Sequence, residues 1–539
     1  MYTGIILTNT FKLASKWLCF RNEERNNLIN DFIKKQNISY QEAQVVVLNT
    51  IQNLFHSIIY KYIEKSKEYI NWYLADLSDP MYSDLILHDW KTCSQILSEY
   101  VHGLGIENSI TPLFIIGGTE IIPMPKALNP TSYHGKEYLD SDMLYCYNNI
   151  NEHDYSNIIR QRPRFVVGRL PFTEVHEPDF LEEYLNKCQE FTPNGIPSRG
   201  AIMTTADCWV AASKEMIKDI PTVALSNSVP SDNSHRMIVS PDLNLTEENN
   251  KEWNNYVKEL CKSDFYIFNL HGCNKDYAPY FYGSHKEIAF RPAILNKICP
   301  TILNTVACYG GKYIDLSINE SMLLKAMSKG TMLYTGACDI ALGDNGSGDA
   351  KCSELMMKLY NIYLHMGIPA GKALLKAKHN YYNTCHTEEG DSDAMYTILE
   401  FNLFGCPILS MSPKLNEKYQ PMLRNQPIIE QNIAGYRPTK TTSVYEQAQS
   451  SSYSATDILS YVRGLVDNNL QYIRQKVEKE VYARLGLGAD KLQQISKVSL
   501  DDKQTGYLFS YKQEFEDFDS FYYVRTDNDG KIANILQTK

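Results

Sequence analysis

The amino-acid sequence predicts an α/β protein with a doubly wound, mostly parallel central sheet and helices on both faces. Three observations predict it. First, short apolar runs recur through the middle of the chain: LFIIGG at 113–118, RFVVGRLP at 164–171, GAIMTTAD at 200–207, FYIFNLHG at 265–272, PTILNTVACYGG at 300–311 and GTMLYTGACD at 330–339. Second, each run is β-rich, apolar throughout and closed by small or polar residues, which a strand buried on both faces requires. Third, segments of crossover length separate the runs, read as helices at 209–218, 288–298 and 319–328, the last stopped by Gly330.

Taken in chain order, residues 1–110 read as a mainly helical region. Val47, Ile51, Leu54, Phe55, Ile58, Tyr62 and Ile63 recur at helical spacing, and a second helix is expected over 85–101. Residues 111–196 form a first α/β subdomain and residues 197–410 a second. Between 411 and 455 the periodicity gives way to Pro, Gln, Ser and Thr, as in a linker or extended arm. Residues 456–539 form a small α+β domain: a helix to about 485 with Leu470, Ile473, Val477 and Val481 on one face, then GYLFSY and SFYYVRT, an Asn528-Asp529-Gly530 turn and KIANIL.

Composition narrows the function classes. A chain of 539 residues exceeds what one core organises, so two to four structural units are expected. A net charge of -10 argues against a nucleic-acid binder, which needs a basic surface. The longest uncharged stretch, 43–60, is interrupted by Gln44, Asn49, Gln52, Asn53 and His56, and reads as a buried amphipathic helix and not a membrane span. The first twenty residues lack the pattern of a secretory signal. The thirteen cysteines are scattered singly without a CxxC pair, as expected of reduced thiols in a cytoplasmic protein.

Chemistry concentrates in one pair. FYIFNL runs into His271-Gly272, and TILNTV runs into Ala307-Cys308-Tyr309-Gly310-Gly311. With one crossover between them, the two strands are expected to be parallel neighbours that deliver both side chains to one carboxyl edge of the sheet. There an imidazole can activate a thiol and later protonate a leaving amine. The Gly272 and Cys308 amides are the expected oxyanion donors, each worth ~3 kcal/mol in other acyl-transfer enzymes.

These residues carry a resemblance to the gingipain-type branch of the caspase-like cysteine peptidases, related to clostripain, legumain and caspases. LFIIGGTEIIP resembles the gingipain strand with its G-D and I-P elements, SDMLYCYNN the following S-D-x-x-Y, RFVVGRLPF the F-x-G-R strand, and FNLFGCPIL the F-G-D-P segment. The chain departs from that pattern at Gly118 and Cys406, where Asp is usual. The resemblance spans roughly 111–410. It implies a caspase-like fold and a cysteine endopeptidase working through a thioester, with Cys308 as nucleophile and His271 as acid/base. It also implies a pocket for Lys or Arg built on Asp142, with Asp339 as a second candidate. Glu120 or His134 is the candidate for orienting His271.

Two rival readings stand beside this one: a legumain-like transpeptidase using the same dyad, and a catalytically inactive binding scaffold that keeps the caspase-like fold. The expected partner is a protein or peptide substrate, with neither nucleic acid nor membrane. The C-terminal domain is read as binding substrate or a regulatory partner. Cys273 and Cys338 lie near the proposed site and read as packed thiols with a redox role as the alternative. No metal site or cofactor is expected; the oxygen-rich loop Asp344-Asn345-Gly346-Ser347-Gly348-Asp349 raises Ca²⁺ as the alternative, but it lacks EF-hand spacing. Lys440 is a candidate self-cleavage point, and EFEDFD at 514–519 reads as a half-exposed strand face or a basic-peptide site.

Overall fold

The computed structural model describes residues 2–79, 89–106, 109–131, 137–147, 161–171, 178–240, 251–272, 280–285, 287–343, 352–385, 391–412, 468–485, 487–501, 504–514, 519–527 and 529–537. It divides into two compact units, residues 1–433 and 434–539.

The first unit is built on one ten-stranded sheet. Its strands are β1 (Tyr2–Thr8), β2 (Ile70–Asp76), β3 (Thr111–Ile116), β6 (Phe165–Leu170), β7 (Ala201–Thr205), β8 (Met237–Val239), β9 (Phe265–Asn269), β13 (Ile302–Thr305), β14 (Leu333–Ala337) and β15 (Phe401–Gly405). Their spatial order is β2-β1-β3-β6-β15-β14-β13-β9-β7-β8. Short strands β4 (Lys126–Leu128) and β5 (Tyr138–Asp140) pair with each other, and β10 (His271–Gly272), β11 (Phe281–Tyr282) and β12 (Ile288–Phe290) make a separate three-stranded sheet. The expected fold class is borne out, and the large sheet is mostly parallel. Its one antiparallel neighbour pair is β14 with β15. The strands on one side of that pair therefore run opposite to those on the other.

The helices are α1 (Thr10–Phe20), α2 (Asn22–Gln36), α3 (Tyr40–Ser66), α4 (Trp90–Gly103), α5 (Pro178–Asn194), α6 (Val210–Ile217), α7 (Lys251–Leu260), α8 (Met322–Ser328), α9 (Cys352–His365), α10 (Ala370–Cys385) and α11 (Asp391–Glu400). Helix α3 starts at a capping box, in which Ser39 and Glu42 each bond the other's backbone N–H. Its buried stripe includes Val47, Ile51, Phe55, Ile58, Tyr62 and Ile63, the positions that its sequence periodicity picks out, while Leu54 is exposed. Tyr62 meets Trp72 of β2, and Tyr184 of α5 meets Phe114 of β3, so α3 and α5 cover one face. Phe114 is in register with Gly168, so the next residue, Arg169, points to the opposite face. Tyr145 stands beside Arg169, and Trp90 of α4 packs edge-on against Tyr145. Helices thus lie on both faces.

Residues 1–110 are mainly helical as expected, but they also supply β1 and β2, which extend the sheet through parallel pairing of β1 with β3. The crossover expected as a helix at 288–298 is strand β12 followed by a 3-10 turn, Pro292–Asn296. Pro292 has no N–H for a helical bond, and Ile288 and Phe290 pair with β11 instead.

The second unit joins α12 (Asn468–Leu485) to the antiparallel strands β16 (Leu492–Asp501), β17 (Gln504–Glu514), β18 (Asp519–Asp527) and β19 (Ile532–Gln537). Ile473, Val477 and Val481 pack on Tyr507, Phe509, Tyr511 and Val524. The Asp-Gly hairpin signal is borne out: Asp527 accepts the backbone N–H of Asp529 and Lys531, and Gly530 has φ of 75°. Strand β16 was not anticipated. Residues 413–467, which contain Lys440, and residues 515–518 of the acid-aromatic stretch lie outside the described residues.

Candidate active site

Strands β9 and β13 are adjacent and parallel, in register from Phe265↔Ile302 to Phe268↔Thr305. They end at the same rim, and the Val306 N–H donates to the Phe268 carbonyl (2.9 Å) just before the two chains leave the sheet. One residue past β9 comes Leu270 and then His271; three past β13 comes Cys308.

Glycine lets these two segments meet. A Cβ on Gly272 would stand 1.8 Å from the Cys308 carbonyl oxygen and 3.0 Å from its nitrogen, so no other residue fits there. Beyond Cys308 the chain is sewn to β14. The Tyr309 N–H donates to the Asp339 carbonyl (2.7 Å) and the Gly311 N–H to the Ala337 carbonyl (2.7 Å). Tyr309 has φ of 57°, a left-handed conformation that turns the backbone sharply after Cys308.

The Cys308 thiol is part-buried and reaches the Ala341 carbonyl at 3.7 Å. Burial pushes the thiol up to about 11, and the nearby Glu400 carboxylate adds to this. The backbone of Ala341, Gly272 and Cys308 itself acts the other way. His271 is exposed along one side, yet partial desolvation lowers its imidazole below the ordinary value, with Glu287 opposing. Burial thus disfavours the charged form of both groups, raising the thiol and lowering the imidazole.

The other sequence-predicted residues divide. Asp339 is at this rim, 5% exposed, with its carboxylate accepting the Ile340 N–H (2.9 Å). Asp142 is not available as a pocket carboxylate. The fully buried Arg169 holds it in two parallel bonds, Nε to Oδ2 at 2.8 Å and Nη2 to Oδ1 at 2.7 Å. The remaining guanidinium nitrogen donates to the Gly117 and Ile122 carbonyls. Both charges are thus already paired within the fold.

Glu120 follows β3, whose carboxyl end lies at the rim opposite that of β9 and β13 because β14 and β15 reverse the sheet. Its electrostatic neighbours are Lys12 and Tyr313. Among the described residues the carboxylate acting on the His271 imidazole is Glu287 and not Glu120. His134, Cys273 and the loop 344–349 lie outside the described residues. Cys338 is a buried thiol bonded by the Asn402 amide (3.2 Å), which is the packed reading. Among the described residues no group of three or more His, Cys, Asp or Glu is arranged to hold a metal ion.

Sequence reasoning missed three neighbours. Trp209 lies against His271 with ring centroids 4.3 Å apart. Its only signal is its place just after a strand that borders β9. Glu287 comes from the β11–β12 hairpin, whose second strand lies in the segment read as a helix. Glu400 ends α11, and its backbone carbonyl accepts the Cys338 N–H (2.9 Å). Burial drives its carboxyl well above the usual range, and Asp339 adds to the rise. Nothing in the linear order links it to Cys308.

The family model for peptidase family C25 matches residues 94–412, which include β3 to β15 and both His271 and Cys308. The chain belongs to peptidase family C25. This C25 protein is a cysteine-type peptidase that hydrolyses peptide bonds and takes protein as substrate, and the gingipain-type resemblance of its motifs is borne out. No curated protein matches the C25 chain. Among solved structures it is similar to the complex of Porphyromonas gingivalis RgpB pro- and mature domains. The identity is 11% and the TM-score 0.41, over 66% of this chain and 77% of that one. The C25 match leaves out β1, β2 and the whole second unit.

Proposed function

We propose that this peptidase is an intracellular endopeptidase that cleaves after Lys or Arg, with Cys308 as nucleophile and His271 as general base and then general acid. The observation that carries the reading is the junction of Gly272 with the Cys308 backbone at one rim of adjacent parallel strands. His271 takes the thiol proton as sulfur attacks the scissile carbonyl, then returns it to the leaving amine; water resolves the thioester. Burial lowers the imidazole and raises the thiol, which suits removal of the thiol proton during attack and not before it. The Gly272 and Cys308 amides, both on the sulfur side, are the donors for the oxyanion.

Specificity for a cationic side chain is assigned to Asp339, with Glu400 behind it, because Asp142 is already neutralised by Arg169. The intracellular setting rests on the thirteen scattered cysteines. The C-terminal unit is read as a surface for substrate or a regulatory partner.

The test is digestion of a peptide library by wild type and Cys308→Ala, with cut sites read by mass spectrometry. Cuts after Lys and Arg that vanish in Cys308→Ala are expected. Unchanged cutting by that variant would remove Cys308 from the mechanism, and joined instead of hydrolysed products would favour transpeptidation. Asp339→Asn is expected to lower kcat/KM for Arg and Lys peptides roughly 100-fold while sparing neutral ones, since an unpaired cation is then desolvated. A parallel loss on both would remove Asp339 from the pocket.

The resting state has its own signature. Since the thiol titrates at about 11, alkylation of ligand-free Cys308 by iodoacetamide should climb about tenfold per pH unit between 7 and 9. A rate already flat by pH 7 would mean a preformed thiolate.

A further inference from the structure

We propose that Trp209 is a positioning residue for His271: its indole backs the imidazole and holds that ring at the rim it shares with Cys308. The inference rests on the reading of His271 as acid/base and extends it to a residue outside the dyad.

His271 needs outside help to be held. It sits on a two-residue strand, paired among the described residues through His271↔Tyr282 and Gly272↔Phe281, and its side chain is exposed. A loose imidazole would sample several χ angles, and a misplacement of about 1 Å in a catalytic group costs roughly 100-fold. Trp209 supplies the missing wall. The two rings lie 4.3 Å apart between centroids at 41°.

Trp209 is itself held from both sides. It ends the 3-10 turn Asp207–Trp209 that follows β7, and β7 pairs with β9 in parallel, so the turn emerges at the same rim. The Ala206 N–H donates to the Asn269 carbonyl (2.9 Å), two residues before His271, and the Trp209 N–H donates to Ala206 (3.1 Å). On its outer side the turn is clasped by the β11–β12 hairpin: Ser284 Oγ accepts the Cys208 N–H (3.1 Å), and His285 Nε2 stands 3.4 Å from the Asp207 carboxylate. The far edge of the indole lies beside Gly343 beyond β14, where a Cβ would stand 3.7 Å away. The indole therefore lies between the His271 ring and the chain after β14, on a turn that is bonded to β9 and to the hairpin.

Among the described residues, the groups that face the imidazole are Trp209 from this turn and Glu287 from the hairpin, with the Cys308 backbone against Gly272 and the Asp207–His285 pair on the same turn as the indole. An aromatic face against an imidazolium is favourable, and the neighbouring Glu287 carboxylate favours it too. Trp209 thus also shares in setting where His271 titrates.

The test uses the full chain and the variants Trp209→Leu, Trp209→Phe and His271→Gln. Protonated imidazole quenches an adjacent indole, so wild-type tryptophan fluorescence should show a step on titration between pH 4.5 and 8. That step should vanish in both Trp209→Phe and His271→Gln, although four other tryptophans remain. In Trp209→Leu, kcat should fall about 10- to 100-fold with KM changed less than about threefold. The acid limb of its kcat/KM profile should shift, and Trp209→Phe should recover most of the loss.

Wild-type kinetics and pH profile in Trp209→Leu, or a fluorescence step that survives removal of either ring, would overturn the proposal. Should Trp209→Leu fail to fold, the comparison of wild type with His271→Gln decides it alone. Full activity in His271→Gln would instead sink the assignment of the dyad, a result separable from the others.

Discussion

Gly272→Ala is expected to abolish peptide hydrolysis. The added methyl would sit 1.8 Å from the Cys308 carbonyl oxygen, inside any permitted contact, and that oxygen is backbone and cannot swing aside. The two strand ends must separate, and with them the imidazole and the sulfur. A separation of even 1 Å predicts a loss of roughly 100-fold or more in kcat/KM. Gly103→Ala makes a matched control: it closes α4, where a Cβ would meet nothing within 4 Å, and activity there should stay within about twofold. The measurement is kcat/KM beside a thermal melt. A Gly272→Ala enzyme with wild-type turnover would mean that the junction does not set the geometry of attack.

The second large effect falls on stability. Arg169→Met leaves Asp142 buried, 4% exposed, without its bidentate partner, and frees the Gly117 and Ile122 carbonyls as well. Breaking such a pair from one side costs about 3–5 kcal/mol. Asp142→Asn should cost a comparable amount, and an Arg169→Met/Asp142→Leu double variant should recover part of it. Denaturant unfolding of unit 1 measures this directly. The same variants test the pocket assignment. If Asp142 bound substrate cations, Asp142→Asn would lose Arg and Lys peptides selectively. The ion pair instead predicts an equal loss on every substrate, tracking the folded fraction.

Much of this arrangement could be read from residue order. Strands β9, β13 and β14 are short, fully buried, β-rich runs followed by small or polar residues, so their existence and their neighbours followed from pattern and spacing. The placing of the segments that carry His271 and Cys308 at one rim follows from the same logic, because a parallel pair brings its following residues to one edge. What failed were placements that depend on direction. Gly405 and Leu333 pair across an antiparallel seam, and no local propensity in FNLFG marks that reversal. With it hidden, Glu120 reads as lying at the rim of His271 when it lies at the other end. Asp142 failed for a different reason: its partner Arg169 sits in FVVGRL, where a charged residue inside an apolar strand was the available sign of a buried ion pair. The β11–β12 hairpin was lost because its strands are two and three residues long, too short for period-two alternation to show.

The placement of β15 has a consequence for how the chain acquires its fold. It is the last strand of the large sheet to leave the ribosome, yet it lies in the middle, with β6 on one side and β14 on the other. Until residue 405 is available, a nascent chain holds two partial sheets, each with an uncovered hydrogen-bonding margin, and such margins invite pairing with other chains. A product truncated at residue 400 would keep His271 and Cys308 but lack the strand that joins the halves. It should be recovered as aggregate, whereas one ending at residue 412 retains the closing strand and stays dispersed.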